Sequence, residues 1–133
     1  MVIADTSLWI EYFKGGNEPA RAALRTLIRT EQVVLVGVVL AELLQGCRSS
    51  EEADTILSNL AGLRFLETSF STWKQAGELS ASLRRKGVTL PLSDLIIGTL
   101  AIEHRCQVYT FDTHFKHIPD LKLYAPPRLP RAR

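Results

Sequence analysis

The sequence predicts an α/β fold, a three-layer sandwich in which helices flank a mostly parallel central sheet. Short apolar segments of strand length recur along the chain, and each is followed by a segment with helical spacing. Because parallel neighbours need helical crossovers, this alternation favours parallel pairing. The 133 residues suffice for one core but not for two ordinary domains. We expect one domain over residues 1–125 and a flexible, basic Pro/Arg tail at 126–133.

The first third of the chain contains two strand-to-helix units. Residues 2–4 are typical of a short buried strand, and residues 6–14 of a helix that is closed by a pair of glycines. A second helix is predicted from Glu18 to about Thr30, because a proline follows Glu18 and the first helical turn accepts proline. The β-branched run 33–36 is then predicted to be a strand.

The middle of the chain is mainly helical. Residues 38–46 favour a helix by composition, and a serine at 49 or 50 can cap another that runs to Gly62. Residues 63–67 offer a short strand before a long amphipathic helix over about 71–86. The helices therefore outnumber the strands.

The last third begins with a buried helix at 94–104, for which Ser93 is the expected N-cap. The segment "QVYTF" that follows is predicted to be a strand that leads to Asp112. After a short helical turn at "THFKHI", the segment "KLYA" is predicted to be a possible edge strand.

The composition is that of a soluble globular protein, with 46% hydrophobic and 23% charged residues. The formal net charge is +2, but three arginines lie in the last six residues, so overall charge does not indicate a nucleic-acid binder. The longest apolar run is far shorter than the roughly 20 residues of a membrane span. No basic leader precedes the apolar start, and we expect a cytoplasmic location. Cys47 and Cys106 lack metal-ligand spacing and are interpreted as small hydrophobes.

Four acidic residues interrupt otherwise apolar segments. Asp5 ends the first strand, and Asp112 follows the predicted strand "QVYTF". Glu42 lies within an apolar helix, and Asp94 begins the helix at 94–104. Each has an ordinary explanation: the three aspartates as helix caps or first-turn acids, and Glu42 as a solvent-facing residue. Together they favour convergence, because an isolated carboxylate is costly to bury in such segments.

A cluster of four carboxylates is tolerable if a divalent cation neutralises it. Ligands that are all oxygen suit Mg²⁺ or Mn²⁺ rather than zinc. Such a site can activate a water and stabilise charge on a phosphoryl group, which is phosphodiester chemistry. The three histidines, His104, His114 and His117, form no evident metal or triad pattern and are interpreted as surface residues.

With these acids identified, the sequence resembles the PIN-domain ribonucleases, specifically the VapC-type toxins of toxin–antitoxin systems. Four stretches carry the resemblance in the family's order: "VIADTSLWI" at 2–10, "VLAELLQG" at 39–46, "LSDLIIGTLAIEH" at 92–104 and "VYTFDTHFKHI" at 108–118. It implies a metal-dependent endoribonuclease that hydrolyses RNA phosphodiester bonds. One departure is visible, because His114 precedes Phe115 where the family often has an aspartate.

The resemblance also implies particular residue roles. Asp5, Glu42, Asp94 and Asp112 would be the catalytic, metal-binding acids, with an Mg²⁺ or Mn²⁺ cofactor. Supporting hydroxyl groups would come from three further residues, Thr6, Ser7 and Thr110.

Partners are implied as well: an RNA substrate, a VapB-type antitoxin that blocks the site, and a second copy of the chain in a homodimer. The aromatic residues Trp9, Tyr12 and Phe13 are candidates for the antitoxin surface, with core packing as the alternative. The best local patch for RNA is Arg84, Arg85 and Lys86, which otherwise serve only as cations at a helix C-terminus.

Two other classes of protein compete with this interpretation. One is a PIN-like domain that binds RNA or protein without cutting. The other is a receiver-type signalling domain, which also clusters acids at strand ends. That second class needs a phosphoacceptor aspartate at the end of a mid-chain strand and a later strand-end lysine, and the sequence shows neither.

Overall fold

Four short strands form one sheet in the computed structural model, which describes residues 1–127. The strands are β1 (Val2–Ala4), β2 (Val33–Val36), β3 (Arg64–Leu66) and β4 (Gln107–Tyr109). Their order is β3-β2-β1-β4, and every neighbouring pair is parallel. The predicted α/β class with a parallel sheet is confirmed. Of the predicted basic tail at 126–133, residues 128–133 lie outside the described part of the chain.

The two central strands are the apolar runs of the sequence. Every residue of β1 and β2 is buried, because both strands have a neighbour on each side and are covered by helices. In the parallel register, Val2 of β1 lies beside Val33 of β2, and Ala4 of β1 lies beside Tyr109 of β4. The carboxyl ends of β1 and β4 therefore lie side by side.

Six helices and one short 3₁₀ helix connect and follow the strands. They are α1 (Thr6–Lys14), α2 (Glu18–Arg29), α3 (Gly37–Gln45), α4 (Ser50–Leu60), α5 (Phe70–Arg85), α6 (Leu92–Glu103) and the 3₁₀ helix Thr113–His117. Several begin at side-chain caps that satisfy free backbone N–H groups. The capping residues are Asp5, Asn17, Ser49, Ser69 and Asp112. Gly15 ends α1 with a φ of 83°, a conformation that favours glycine.

Helix α6 is the most deeply buried helix of the described chain. Its residues from Leu95 to Ala101 are all buried, and it contacts α3, α5, β1 and β4. Gly98 allows its close approach to the segment after the 3₁₀ helix, since a Cβ at Gly98 would lie 2.7 Å from Cδ1 of Ile118. Helix α6, which carries Asp94 in its first turn, is thereby packed between the sheet and the segment after the 3₁₀ helix.

Two predicted boundaries are wrong. Helix α6 begins at Leu92 rather than after a cap at Ser93, because the carbonyl of Pro91 already accepts from Asp94 (3.1 Å) and Leu95 (3.2 Å). The predicted edge strand "KLYA" is only an isolated bridge between Leu123 and Val108. The prolines that follow it lack the N–H groups that would extend the pairing.

The aromatic residues of α1 lie mostly inside the protein. Trp9 is fully buried, with Tyr12 edge-on at 5.6 Å and Phe13 stacked at 6.0 Å between ring centroids. Trp9 therefore belongs to the core and not to a partner surface, whereas Tyr12 and Phe13 remain partly exposed. Cys47 and Cys106 are free thiols in partly buried and buried positions, as predicted. Within residues 1–127, none of the helices has the length and apolarity to cross a membrane.

Candidate functional site

Asp5 is a buried carboxylate at the carboxyl end of the central strand β1. Its side chain, with the residue only 5% exposed, accepts from the Ser7 hydroxyl at 2.5 Å and from the Thr110 hydroxyl at 2.5 Å. The backbone N–H of Leu8 also donates to it at 3.3 Å, so Asp5 is indeed the N-cap of α1. The capping explanation is therefore correct for Asp5, and the same carboxylate also accepts from two hydroxyl groups.

Two hydroxyl groups join the end of β4 to the start of α1. Thr110 donates to Asp5 and accepts from the backbone N–H of Asp112 at 2.8 Å. Ser7 likewise donates to Asp5 and accepts from the backbone N–H of Phe111 at 3.2 Å. Each hydroxyl therefore uses its hydrogen on Asp5 and its lone pair on the loop after β4, which fixes that loop against Asp5.

Glu42 lies on α3 and faces the start of α1. It is partly buried, and its Oε1 accepts from the Thr6 hydroxyl at 2.9 Å. Since Thr6 directly follows Asp5, this bond connects α3 to the strand end that carries Asp5. Glu42 is therefore not the solvent-facing residue of its helix.

Asp94 and Asp112 lie together beside His114. The His114 Nδ1 atom is 3.2 Å from Asp94 Oδ2 and 3.1 Å from Asp112 Oδ1. Asp112 also caps the 3₁₀ helix by accepting from the His114 backbone N–H at 2.9 Å. One ligand atom from each of the three residues lies within 4.8 Å of the others, a spacing that could hold a metal ion.

Burial raises the pKa of two of these acids. Desolvation raises the pKa of Asp5 above its ordinary value of 3.8, and the bonds from Ser7 and Thr110 oppose the rise. Desolvation also raises the pKa of Asp94; the bond with His114 opposes it, and the charges of Asp112 and Asp5 add to it. A bound cation would favour the ionised form of both carboxylates.

His114 was not among the sequence-predicted site residues. Its side chain is 47% exposed, so the prediction of a surface position is correct, but its ring also contacts two of the predicted acids. The signal available in the sequence was its position two residues after Asp112, where the resembling family often has an acid. His104 and His117 are exposed and lie outside this cluster.

The comparison with protein families decides which fold this is. The PIN domain family model matches residues 2–121, which is most of the chain and includes every acid described above. The chain belongs to the PIN domain family. This PIN domain carries Asp5, Glu42, Asp94 and Asp112 on the stretches that resemble the family.

Individual relatives of this PIN domain are VapC proteins. The chain is 27% identical over 119 residues to the ribonuclease VapC11 of Mycobacterium tuberculosis and to the VapC ribonuclease Mb1587 of Mycobacterium bovis, matches that span 86% of this chain and 89% of each relative. Among solved structures, VapBC2 of Rickettsia felis, bound to a DNA fragment from its promoter, matches with a TM-score of 0.80 and 26% identity over 93% of this chain and 98% of that one.

FitAcB of Neisseria gonorrhoeae matches with a TM-score of 0.77 and 22% identity over 95% of this chain and 98% of that one. At this identity the match supports the fold alone.

The predicted RNA patch lies at the end of α5. Arg84, Arg85 and Lys86 are all exposed, and within residues 1–127 none of them forms an ion pair. They are also the cations at the helix C-terminus that the alternative explanation requires.

Proposed function

We propose that this PIN domain is a divalent-metal-dependent endoribonuclease and the toxin of a type II toxin–antitoxin module. The observation that carries the proposal is the pairing of Asp94 with Asp112, which His114 joins in one group of potential metal ligands that does not include Asp5 or Glu42. Asp5 is linked to the same loop through Thr110, and its charge acts on Asp94. The 27% identity to VapC ribonucleases supports RNA as the substrate class.

The residues present fit a divalent cation. Asp5 and Asp94 have raised pKa values because they are desolvated, and a cation would offset the cost of keeping them ionised. We assign Asp5, Glu42, Asp94 and Asp112 as the acids that hold it, with Mg²⁺ or Mn²⁺ as the ions that suit carboxylate ligands. When bound, the ion supplies Lewis acidity toward the phosphoryl oxygens and lowers the pKa of a water.

The chain's own hydroxyls orient these acids. Ser7 and Thr110 hold both oxygens of Asp5 in place, and Thr6 holds one oxygen of Glu42. A carboxylate with fixed orientation needs little rearrangement to receive a cation, and such partners are worth about 10- to 100-fold in metal affinity or activity. We therefore assign these three residues as positioning residues.

The proposed partners follow from the neighbours in structure. VapBC2 of Rickettsia felis is a toxin–antitoxin complex, and the similarity to it supports a VapB-type antitoxin and a hetero-oligomer for this chain. A cluster of carboxylates at the site is complementary to a basic side chain of such an antitoxin. We also propose a homodimer of the toxin, which the family resemblance implies.

The first prediction concerns cleavage by the purified, antitoxin-free chain. RNA cleavage is expected to require Mg²⁺ or Mn²⁺, to stop with EDTA, and to fall by at least about 100-fold in Asp5→Asn and Asp94→Asn, because each loses a ligand charge. Asp54→Asn, on the exposed face of α4, is the matched control and should cleave normally.

The readouts are the mapped 5′ and 3′ ends of the cut RNA and, in cells, growth arrest by the wild type but not by Asp94→Asn. Unchanged cleavage in Asp5→Asn or in EDTA would refute the metal-dependent mechanism. Binding of RNA without any cleavage by the wild type would favour the non-catalytic PIN-like alternative. Normal growth with abundant wild-type chain would exclude the toxin.

A further inference from the structure

The His114 ring is directed into the acid pair of the site. Its Nδ1 atom lies between Asp112 Oδ1 and Asp94 Oδ2, at 3.1 and 3.2 Å. We propose that His114 is itself a ligand of the divalent cation, through Nδ1, and that it shifts the metal preference of this PIN domain away from Mg²⁺ toward first-row transition metals. The proposal rests on the function proposed above and adds a nitrogen to its ligand set.

The spacing of the three donor atoms suits a shared cation. Mg²⁺ binds oxygen at about 2.0–2.1 Å in octahedral geometry, so two adjacent ligands lie about 3 Å apart. The two distances from Nδ1 match this value. The distances from Nδ1 therefore suit a cation shared with each acid, and all three donor atoms lie within 4.8 Å of one another.

The backbone holds the ring in this position. The His114 N–H donates to Asp112 at 2.9 Å, and the next residue, Phe115, is fully buried in the core. Asp112 is in turn fixed by the bond from its own N–H to Thr110. The histidine is thereby tied to the same loop as the acid, although the exposed edge of its ring faces solvent.

Imidazole and carboxylate ligands favour different metal ions. Carboxylate and water ligands suit Mg²⁺ and Mn²⁺, whereas an imidazole nitrogen favours later transition metals and adds no negative charge. An aspartate at position 114 would give the site a further carboxylate. Because the chain has His114 there, the site gains affinity for metals that accept nitrogen and loses charge that would favour Mg²⁺.

The same distances would be found if His114 were a hydrogen-bond partner that leaves when metal binds. Mn²⁺ distinguishes the two cases, because pulsed EPR detects a directly bonded ¹⁴N nucleus. The full chain loaded with Mn²⁺ alone is expected to show ¹⁴N modulation that is lost in His114→Gln and His114→Asp. His117→Gln, at an exposed histidine of the same 3₁₀ helix, should keep it.

Calorimetry supplies the second readout. His114→Gln is expected to weaken Mn²⁺ binding by about tenfold or more, since the loss of even an outer partner of a metal ligand costs about 10- to 100-fold. His114→Asp should raise the affinity for Mg²⁺ relative to Ni²⁺, because imidazole suits Ni²⁺ and carboxylate suits Mg²⁺. Because the His114 side chain is half exposed, circular dichroism of each variant should match that of the wild type.

Three results would overturn the inference or its basis. Bound Mn²⁺ without ¹⁴N modulation in the wild type would exclude His114 as a ligand while leaving the proposed function intact. Modulation that persists in His114→Gln would assign the nitrogen to another residue. A wild-type chain that binds neither Mg²⁺ nor Mn²⁺ would contradict the proposed function itself.

Discussion

The Thr110 hydroxyl joins the loop after β4 to Asp5, which follows β1. It donates to Asp5 at 2.5 Å and accepts from the N–H of Asp112 at 2.8 Å, so it fixes one acid by its side chain and the other by its backbone. A hydroxyl can make both bonds at once because it is donor and acceptor together. Its loss would leave both acids less well oriented.

Thr110→Val is accordingly expected to reduce cleavage and metal affinity by about 10- to 100-fold, because valine keeps the shape but makes neither bond. Thr110→Ser retains the hydroxyl and should retain most of the activity. Initial cleavage rates and Mn²⁺ affinity of the two variants provide the measurement. Full activity in Thr110→Val, which keeps the methyl group, would show that the hydroxyl is not needed.

Single residues also show what the sequence could reveal about the site. Asp5 and Asp112 were recognisable because each follows an apolar strand, and parallel strands bring their carboxyl ends to one edge. The contact of His114 with Asp94 was not recognisable, since the two residues are 20 positions apart and meet only when α6 packs on the sheet. A histidine on a short turn has no pattern that separates it from an ordinary surface residue.

At the scale of elements, α5 and α6 form a helical hairpin that brings positive charge toward the site. The two helices pack against each other and are joined by residues 86–91. The short connection places the end of α5 next to the start of α6, where Asp94 lies. We propose that Arg84, Arg85 and Lys86 contact RNA phosphates when the RNA lies at Asp94, in the first turn of α6.

Replacing Arg84, Arg85 and Lys86 with glutamine is expected to weaken binding of single-stranded RNA and to lower its dependence on salt. Each lost phosphate contact reduces the slope of log affinity against log salt by about 0.7 for a single strand. The measurement is RNA affinity across salt concentrations, made in EDTA so that no cleavage occurs. The control changes Lys14, Arg29 and Arg48, which are exposed and lie outside α5. An unchanged slope would show that these three residues do not contact RNA phosphates and serve only as cations at the C-terminus of α5.

The elements themselves were largely predictable. The buried strands β1 and β2 and the helices after them follow from apolar runs, helical spacing and capping residues. The start of α6 was misplaced because a serine looked like a better cap than Pro91, yet the proline carbonyl already begins the helix. The bridge at Leu123 was overestimated as a strand because composition does not show how far its pairing with β4 extends.

For the whole molecule, the acids of the site cost stability when no metal is present. Burial raises the pKa of Asp94 above 3.8, so the folded state binds the Asp94 proton more tightly than the unfolded state does. Ionised Asp94 is therefore unfavourable at neutral pH. The folded state gains stability as the pH falls through the raised pKa, and the gain is complete below the ordinary value.

Asp94→Asn should consequently melt at a higher temperature than the wild type in EDTA at about pH 7, and the difference should shrink as the pH is lowered to about 4. Thermal unfolding of both proteins across this range gives the comparison, with Asp54→Asn as the control for loss of a surface charge. Added Mn²⁺ should stabilise the wild type only. A variant that melts below the wild type at neutral pH would contradict this account of Asp94.

The bond between Thr110 and Asp5 spans 105 positions of the sequence. The site therefore depends on a contact between the end of the first strand and the loop after β4, and β4 must pair with β1 before that loop can reach Asp5. A chain whose synthesis has not yet reached Gln107 lacks Thr110, Asp112 and the strand that positions them. By this geometry, the proposed nuclease site forms only after β4 has been synthesised and has paired with β1.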